Sequence, residues 1–230
     1  MTSSGTYAFS NTNADVVIGA YSRLQIRRTQ LLAEHMQDAY RAANLALVKL
    51  SNLQPNLWTE ETQEVALIDG TATYTLTART IMVLICTIRT GSGTTQNDRV
   101  LFPVSTVEYQ SFVNKAQEGF PSVYWFNRQI TPTITFWTVP DATGTYTARL
   151  QCVRQVQDAN LANGETPDLP YRWLDWFEAD IAHRLSRTYR PELEDKRKAD
   201  ADEAWRIAAT QDTENVALNL MPTLGTYYRS

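Results

Sequence analysis

Cysteine and histidine are scarce in this sequence, with two residues of each type among 230. Cys86 and Cys152 form no CxxC pair, which argues against a zinc-ribbon or thioredoxin-like motif. Both lie in strand-like runs, so we expect buried free thiols; a disulfide would need a secreted context. His35 and His183 have no second histidine or cysteine at metal-ligand spacing, and we expect structural roles for both.

The sequence also lacks an excess of basic residues and a long hydrophobic run. A formal charge of −4 does not favour a nucleic-acid reader, although mild repulsion suits a wall along which DNA slides. The longest apolar run, 81–86, is too short to cross a bilayer. Residues 1–15 are polar and contain no apolar core of a secretory signal. We therefore expect synthesis and folding in the cytoplasm, without a membrane partner.

Helical periodicity marks both ends of the chain. A first helix is predicted from Asn13 or Asp15, a second over 28–53, and two more after Pro170 and Pro191. Apolar side chains recur in them at steps of three and four, as is typical of a helix with one buried face. In the second helix and the one after Pro170 these are Leu32, Met36, Ala39, Ala43, Leu47, Leu50, Leu174, Phe177, Ile181 and Leu185.

The middle of the chain has the pattern of strands. Strands are predicted at 65–68, 71–77, 81–90, 99–104, 122–127, 133–138 and 146–156. The Asp69-Gly70 pair indicates a turn, and Gly91-Ser92-Gly93 the tip of a hairpin. Ser105 with Glu108 fits the capping box of a short helix that runs to about residue 117.

These patterns predict an α+β fold. We expect a helical bundle formed by the N- and C-terminal helices, with an inserted small antiparallel β domain and extended terminal arms. The predicted segments are a flexible N-terminal arm (1–13), the N-terminal half of the bundle (14–56), the β domain with one short helix (57–157), the C-terminal half of the bundle (168–211) and an extended C-terminal docking tail (212–230).

Motifs for catalysis are missing, so we predict no catalytic residues, no cofactor and no metal. The chain has no GxSxG motif and no glycine-rich loop followed by the lysine and helix of a phosphate site. One alternative remains, because a glycan-cleaving site needs two carboxylates beside aromatic side chains. Candidates are Glu60, Glu61 and Glu64 near Trp58, and Asp175 and Glu178 near Trp173 and Trp176.

Aromatic residues offer candidate contacts with partners. Trp125-Phe126 and Phe136-Trp137 lie on neighbouring predicted strands and fit either a sheet core or an interface patch. A tail that buries little of its own surface gains most from its apolar residues when a partner binds them. We therefore predict docking to a partner or neighbouring subunit through Leu220, Met221, Tyr227, Tyr228 and Arg229. The charged run 192–203 fits a solvated helix face or a contact between subunits.

Several stretches follow one another in an order that is informative. Residues 15–24 form an opening helix, and 65–76 ends in Gly-x-x-x-Tyr-x-Leu. A strand containing Tyr124 precedes an apolar strand that ends at Pro140, and Leu169-Pro170 opens the next long helix. In this order they resemble the head-to-tail adaptor (connector) proteins of tailed bacteriophages, most closely those of short-tailed phages. The proline that follows Tyr-x-Leu in that family is replaced here by Thr77-Ala78.

The resemblance implies a structural virion protein at the neck between head and tail. Its copies are expected to form a ring, commonly dodecameric, that docks below the portal protein, extends the DNA channel and attaches tail nozzle or tail fibre proteins. DNA would pass through without sequence-specific binding. The alternatives are a peptidoglycan hydrolase built on the adaptor fold, and another structural component of a phage tail or baseplate.

Overall fold

The computed structural model of the chain describes residues 5, 9–53, 57–161 and 164–213. The helices are α1 (Asn13–Arg23), α2 (Ala33–Leu53), α3 (Thr106–Ser111), α4 (Leu174–Tyr189) and α5 (Glu194–Gln211). The strands are β1 (Glu60–Ala66), β2 (Thr73–Thr75), β3 (Thr80–Thr90), β4 (Asn97–Pro103), β5 (Val123–Asn127), β6 (Thr133–Trp137) and β7 (Tyr146–Arg154).

The seven strands form one sheet in the order β1-β7-β3-β4-β5-β6-β2. Neighbouring strands are antiparallel except β4 and β5, which run parallel and pair only at Phe102 and Pro103. The sheet curls, so its two edges approach each other. At this closure the Tyr74 hydroxyl of β2 accepts a hydrogen bond of 2.7 Å from the Ile68 amide, just after β1.

The inner face of the curled sheet encloses one hydrophobic core. Burial alternates along β7, because side chains of a strand point to opposite faces with a period of two. Cys86 and Cys152 belong to this core as free thiols, which confirms the sequence prediction. Burial raises the pKa of each thiol to about 12. The other buried members are Leu76, Ile88, Leu101, Tyr124, Ile134, Phe136, Tyr146, Ala148 and Leu150.

A second hydrophobic core lies among the long helices. Helix α4 packs against α1, α2 and α5, and its buried residues include Trp176, Phe177, Ile181 and Leu185. Helix α2 contributes the small side chains Ala39, Ala42, Ala43 and Ala46, which allow helices to approach closely. This α2 face confirms the apolar stripe predicted from Ala39 to Leu50, whereas Leu32 is exposed.

The predicted description of the fold was wrong. The chain is a mixed α+β structure with a seven-stranded curled sheet and five helices among the described residues, not a helical bundle carrying a small antiparallel insert. Only the broad α+β class agrees. The cause is physical: alternation identifies each strand but not its neighbour, so neither the extent of the sheet nor the parallel β4–β5 pair follows from local pattern.

Two helix ends also differ from the prediction. Helix α2 begins at Ala33 instead of residue 28, and a single 3-10 turn, Arg28–Gln30, precedes it. The Leu32 amide there donates to His35 Nδ1 (3.2 Å), so a histidine acts as the cap. Helix α3 ends at Ser111 instead of residue 117, although Ser105 caps its start as predicted.

Candidate interaction surfaces

Both histidines occupy structural positions between helices. The His35 ring stacks on Tyr189 with 4.8 Å between centroids. His183 is buried in α4, and burial together with the nearby Arg187 guanidinium lowers its pKa. Among the described residues, no group of three or more His, Cys, Asp or Glu side chains is placed to hold a metal ion.

Two of the three acidic residues of β1 bind arginines, and the third, Glu60, accepts a hydrogen bond of 3.3 Å from Gln151. Glu61 forms an ion pair of 2.9 Å with Arg79, and Glu64 one of 2.8 Å with Arg149. The nearby Trp58 lies partly buried, and its indole nitrogen donates to a backbone carbonyl at 3.3 Å. These carboxylates therefore brace the edge of the sheet instead of facing each other across a cleft.

The second acidic pair joins α1 to α4. Arg23 contacts Asp175 at 2.6 Å and Glu178 at 2.7 Å. Gly19 makes room for this contact, since a Cβ atom at that position would clash with the Glu178 carboxylate. Trp176 is buried in the helical core. The geometry of this pair is that of a helix–helix contact.

A buried carboxylate joins α2 to α4. Asp180 accepts hydrogen bonds from Lys49 Nζ (2.8 Å) and Arg184 Nε (2.7 Å), and its side chain is 1% exposed. Burial opposes ionisation, but the two cations hold the pKa of Asp180 below its usual value. The role of this residue could not be predicted from the sequence, because no local signal shows that a lysine of α2 faces α4.

The described chain ends in a fixed position. Asp212, at the end of α5, is buried and accepts a hydrogen bond of 2.5 Å from Arg172, just before α4. The Arg172 guanidinium lies 5.6 Å from the Trp58 ring centroid. We call Arg172, Asp212 and Trp58 the tail root. The predicted docking residues Leu220, Met221, Tyr227, Tyr228 and Arg229 lie outside the described residues.

The aromatic pairs of β5 and β6 separate onto two faces. Phe136 is buried in the sheet core and Phe126 packs against that core. Trp125 and Trp137 are only partly buried, and α3 with its following residue covers them. Tyr109 stacks on Trp125 at 5.1 Å, and Phe112 stacks on Trp137 at 4.3 Å.

Next to this aromatic cluster, apolar side chains remain exposed. Ile85 of β3 and Val100 of β4 are each 53% exposed, and Phe102 of β4 is 70% exposed. Leu101 points into the core, so Val100 and Phe102 point outward. We call Ile85, Val100 and Phe102 the β4 patch. The sequence predicts a strand here, but Val100, Leu101 and Phe102 are all apolar, so no alternation indicates which of them face outward.

Arginines bind most of the candidate carboxylates, and apolar side chains are exposed on the curled sheet. Both features favour a structural assembly protein over a hydrolase. Residues 12–220 match the family model described as SU10 adaptor protein. The chain belongs to this family, which confirms the predicted recognition of a phage head-to-tail adaptor. It is therefore a structural component of the virion that associates with other phage head and tail proteins. None of the curated proteins matches the chain. No described helix is long and apolar enough to span a membrane.

Proposed function

We propose that this chain is the head-to-tail adaptor of its phage. Its copies form a ring, dodecameric as is common among such adaptors, that docks below the portal protein and extends the DNA channel. The opposite side of the ring attaches tail nozzle or tail fibre proteins. The observation that carries this proposal is the adaptor family match over 12–220, and the exposed β4 patch supports a role in assembly.

Docking to the portal is assigned to the tail that follows the tail root. The Arg172–Asp212 contact holds the described chain in place two residues before 214–230 begins. Seventeen residues span at most about 56–61 Å when extended, which is enough to reach another ring. The cost of ordering such a segment is about 1–2 kcal/mol per residue in backbone entropy. Anchors such as Met221, Tyr227 and Tyr228 are needed to offset it.

The charge of the chain suits a passive DNA channel. A formal charge of −4 would weakly repel the phosphate backbone, whereas a binding surface needs clustered lysine and arginine. Several arginines are engaged with carboxylates, including Arg23, Arg89, Arg149 and Arg154. DNA then passes without sequence-specific contacts.

Removal of the tail tests the docking role. A chain lacking 214–230 should keep its helical and strand content, because helices α1–α5 and strands β1–β7 all lie within 13–211. It should lose stable binding to the portal ring, measured by co-sedimentation. A full-length variant with Tyr227→Ser and Tyr228→Ser should bind weakly, whereas its matched control, Thr223→Ser with Thr226→Ser, should bind like the parent. Unchanged binding of the truncated chain would contradict the docking role.

We propose no hydrolytic activity for this adaptor. The family is structural, and the candidate carboxylates Glu61, Glu64 and Glu178 bind arginines. A zymogram on purified peptidoglycan tests this directly. Clearing by the parent chain that disappears in a Glu61→Gln or Glu178→Gln variant would establish the hydrolase alternative.

A further inference from the structure

Strand β4 has an edge that is open along most of its length. From Asn97 to Leu101 it pairs with β3, and on its other side β5 joins it only at Phe102 and Pro103. Residues 97–100 are all exposed, and within the described stretches of the chain no strand pairs with this edge. An unpaired edge presents N–H and C=O groups that can accept a further strand.

The two open edges of this half of the sheet differ in chemistry. The edge at β1 carries Glu61 and Glu64, both in ion pairs, and charged side chains are a common protection against unwanted strand pairing. The edge at β4 also carries a charged residue in an ion pair, Asp98 with Arg89, but beside it Val100 and Phe102 of the β4 patch point outward. An open edge with apolar side chains on its outer face is suited to bind a strand.

A segment of the chain itself has the pattern of such a strand. Among residues 214–230, Val216, Leu218 and Leu220 are apolar and alternate with Ala217 and Asn219. In an extended conformation the three large side chains share one face. That face matches the outward apolar side chains of β4. Ala217 and Asn219 would point to the inner face of the sheet, and both are small enough to lie at the edge of its core.

The described part of the chain ends far from the β4 edge. Glu60 and Met82 both pair with Val153, while Val100 pairs with Thr87, five residues further along β3. At about 3.3 Å per residue and 4.8 Å between strands, a strand added outside β4 lies about 25 Å from Glu60.

The tail root lies beside the start of β1, through the contact of Arg172 with Trp58. From Asp212 to Val216 the chain reaches at most about 14 Å. The distance therefore favours the β4 edge of another molecule over the edge of the same one.

We propose that the open edge of β4 and the β4 patch bind residues 216–220 of a second copy of this chain as an added strand. This inference rests on the proposed ring, for which it supplies a contact between neighbours. Each copy gives a strand to one neighbour and accepts one from the other, and such head-to-tail contacts close into rings. Residues 221–229 then continue toward the portal.

Cysteine pairs test this contact at single-residue resolution. Chains carrying Val100→Cys together with a cysteine at 216, 217, 218, 219 or 220 are oxidised, both free and mixed with portal rings. Val100 is half-exposed, so its substitution should be tolerated, and the buried native Cys86 and Cys152 should not react. We expect a ladder of covalent multimers, with a several-fold higher yield from positions 216, 218 and 220 than from 217 and 219.

The matched control places the first cysteine on the protected edge, as Glu64→Cys with Leu218→Cys, and should give no ladder. Ring formation is measured separately by the mass of the assembly. A ring without Val100 cross-links overturns this inference and leaves the proposed function standing. Cross-linked monomers without multimers show pairing within one chain and overturn it too. If no cross-link forms at all, the result counts against this inference, whether or not a ring forms. If no ring forms, the proposed function is contradicted as well.

Discussion

The buried contact of Asp180 with Lys49 and Arg184 predicts that Asp180→Asn strongly lowers the free energy of unfolding. In Asp180→Asn the carboxylate that binds Lys49 and Arg184 becomes a neutral amide of nearly the same size. Both cations then lose their counter-ion inside the contact between α2 and α4. The packing of neighbouring apolar side chains is left intact, so the change reports on the charge and on the hydrogen bonds that the carboxylate accepts.

The size of this loss of stability depends on how deeply each partner in the contact is buried. Breaking a fully buried ion pair typically costs about 3–5 kcal/mol. Here the carboxylate is 1% exposed, but the side chains of Lys49 and Arg184 are 40% and 24% exposed and can be partly rehydrated. Each lost charge-assisted hydrogen bond contributes about 1.5–3 kcal/mol before rehydration. We therefore expect Asp180→Asn to lower the free energy of unfolding by about 2–3 kcal/mol. For a chain of this size that lowers Tm by about 4–12 °C.

Urea unfolding at pH 7 measures the free energy of unfolding of the parent and of Asp180→Asn. Asp175→Asn is the control on the same helix. Asp175 is 70% exposed and pairs with Arg23, so its loss should cost at most about 1 kcal/mol. Because the pKa of Asp180 lies below its usual 3.8, its stabilisation is complete above that value and is lost as pH falls through the lower, folded-state pKa. Equal costs for both variants, or a difference that persists once the parent carboxylate is protonated, would refute this reasoning.

Three further predictions concern burial. Phe136→Ala should cost about 3–5 kcal/mol in urea unfolding because its ring is fully buried, whereas the exposed Phe102→Ala should cost far less; a reversed order contradicts the orientation of the sheet. Cys86 and Cys152, with pKa raised to about 12 by burial, should label with a thiol reagent at pH 8 only after unfolding, and rapid native labelling would be evidence against the core. Burial and a nearby arginine lower the pKa of His183. The unfolded state then takes up the proton first, so stability should fall as pH drops below 6.5, and His183→Gln should flatten that slope.

Local elements were predictable because their signals are local. Asp69-Gly70 and the glycines at 91 and 93 mark turns, and the β3–β4 hairpin pairs Thr90 with Asn97 around the predicted tip. Pro191 begins the turn that leads into α5, where a proline is favoured. Each of these features depends on residues within a few positions of one another.

The sheet and the surfaces were not predictable in the same way. The parallel pair of Phe102 with Val123 joins strands of different hairpins, and no residue near either one indicates the other. Trp125 and Phe126 are adjacent in β5 and therefore lie on opposite faces, but which of the two aromatic side chains faces the core depends on register. The β4 patch lies on the outer face of the sheet, and which of three consecutive apolar residues face outward there depends on the register of the whole sheet.

The contacts between the helices and the sheet place the tail root and the open β4 edge toward different ends of the sheet. Asp168 pairs with Arg154 at 2.5 Å at the end of β7, and its carbonyl oxygen accepts from Trp58 of the tail root. These contacts hold the tail root at the end of the sheet where β1 begins, while the open β4 edge lies toward the other end. The tail root and the open β4 edge are therefore different surfaces of the molecule. When each copy gives its strand to one neighbour and accepts a strand from another, each added copy leaves one donor and one acceptor free until a ring closes, whereas a reciprocal exchange would stop at a dimer.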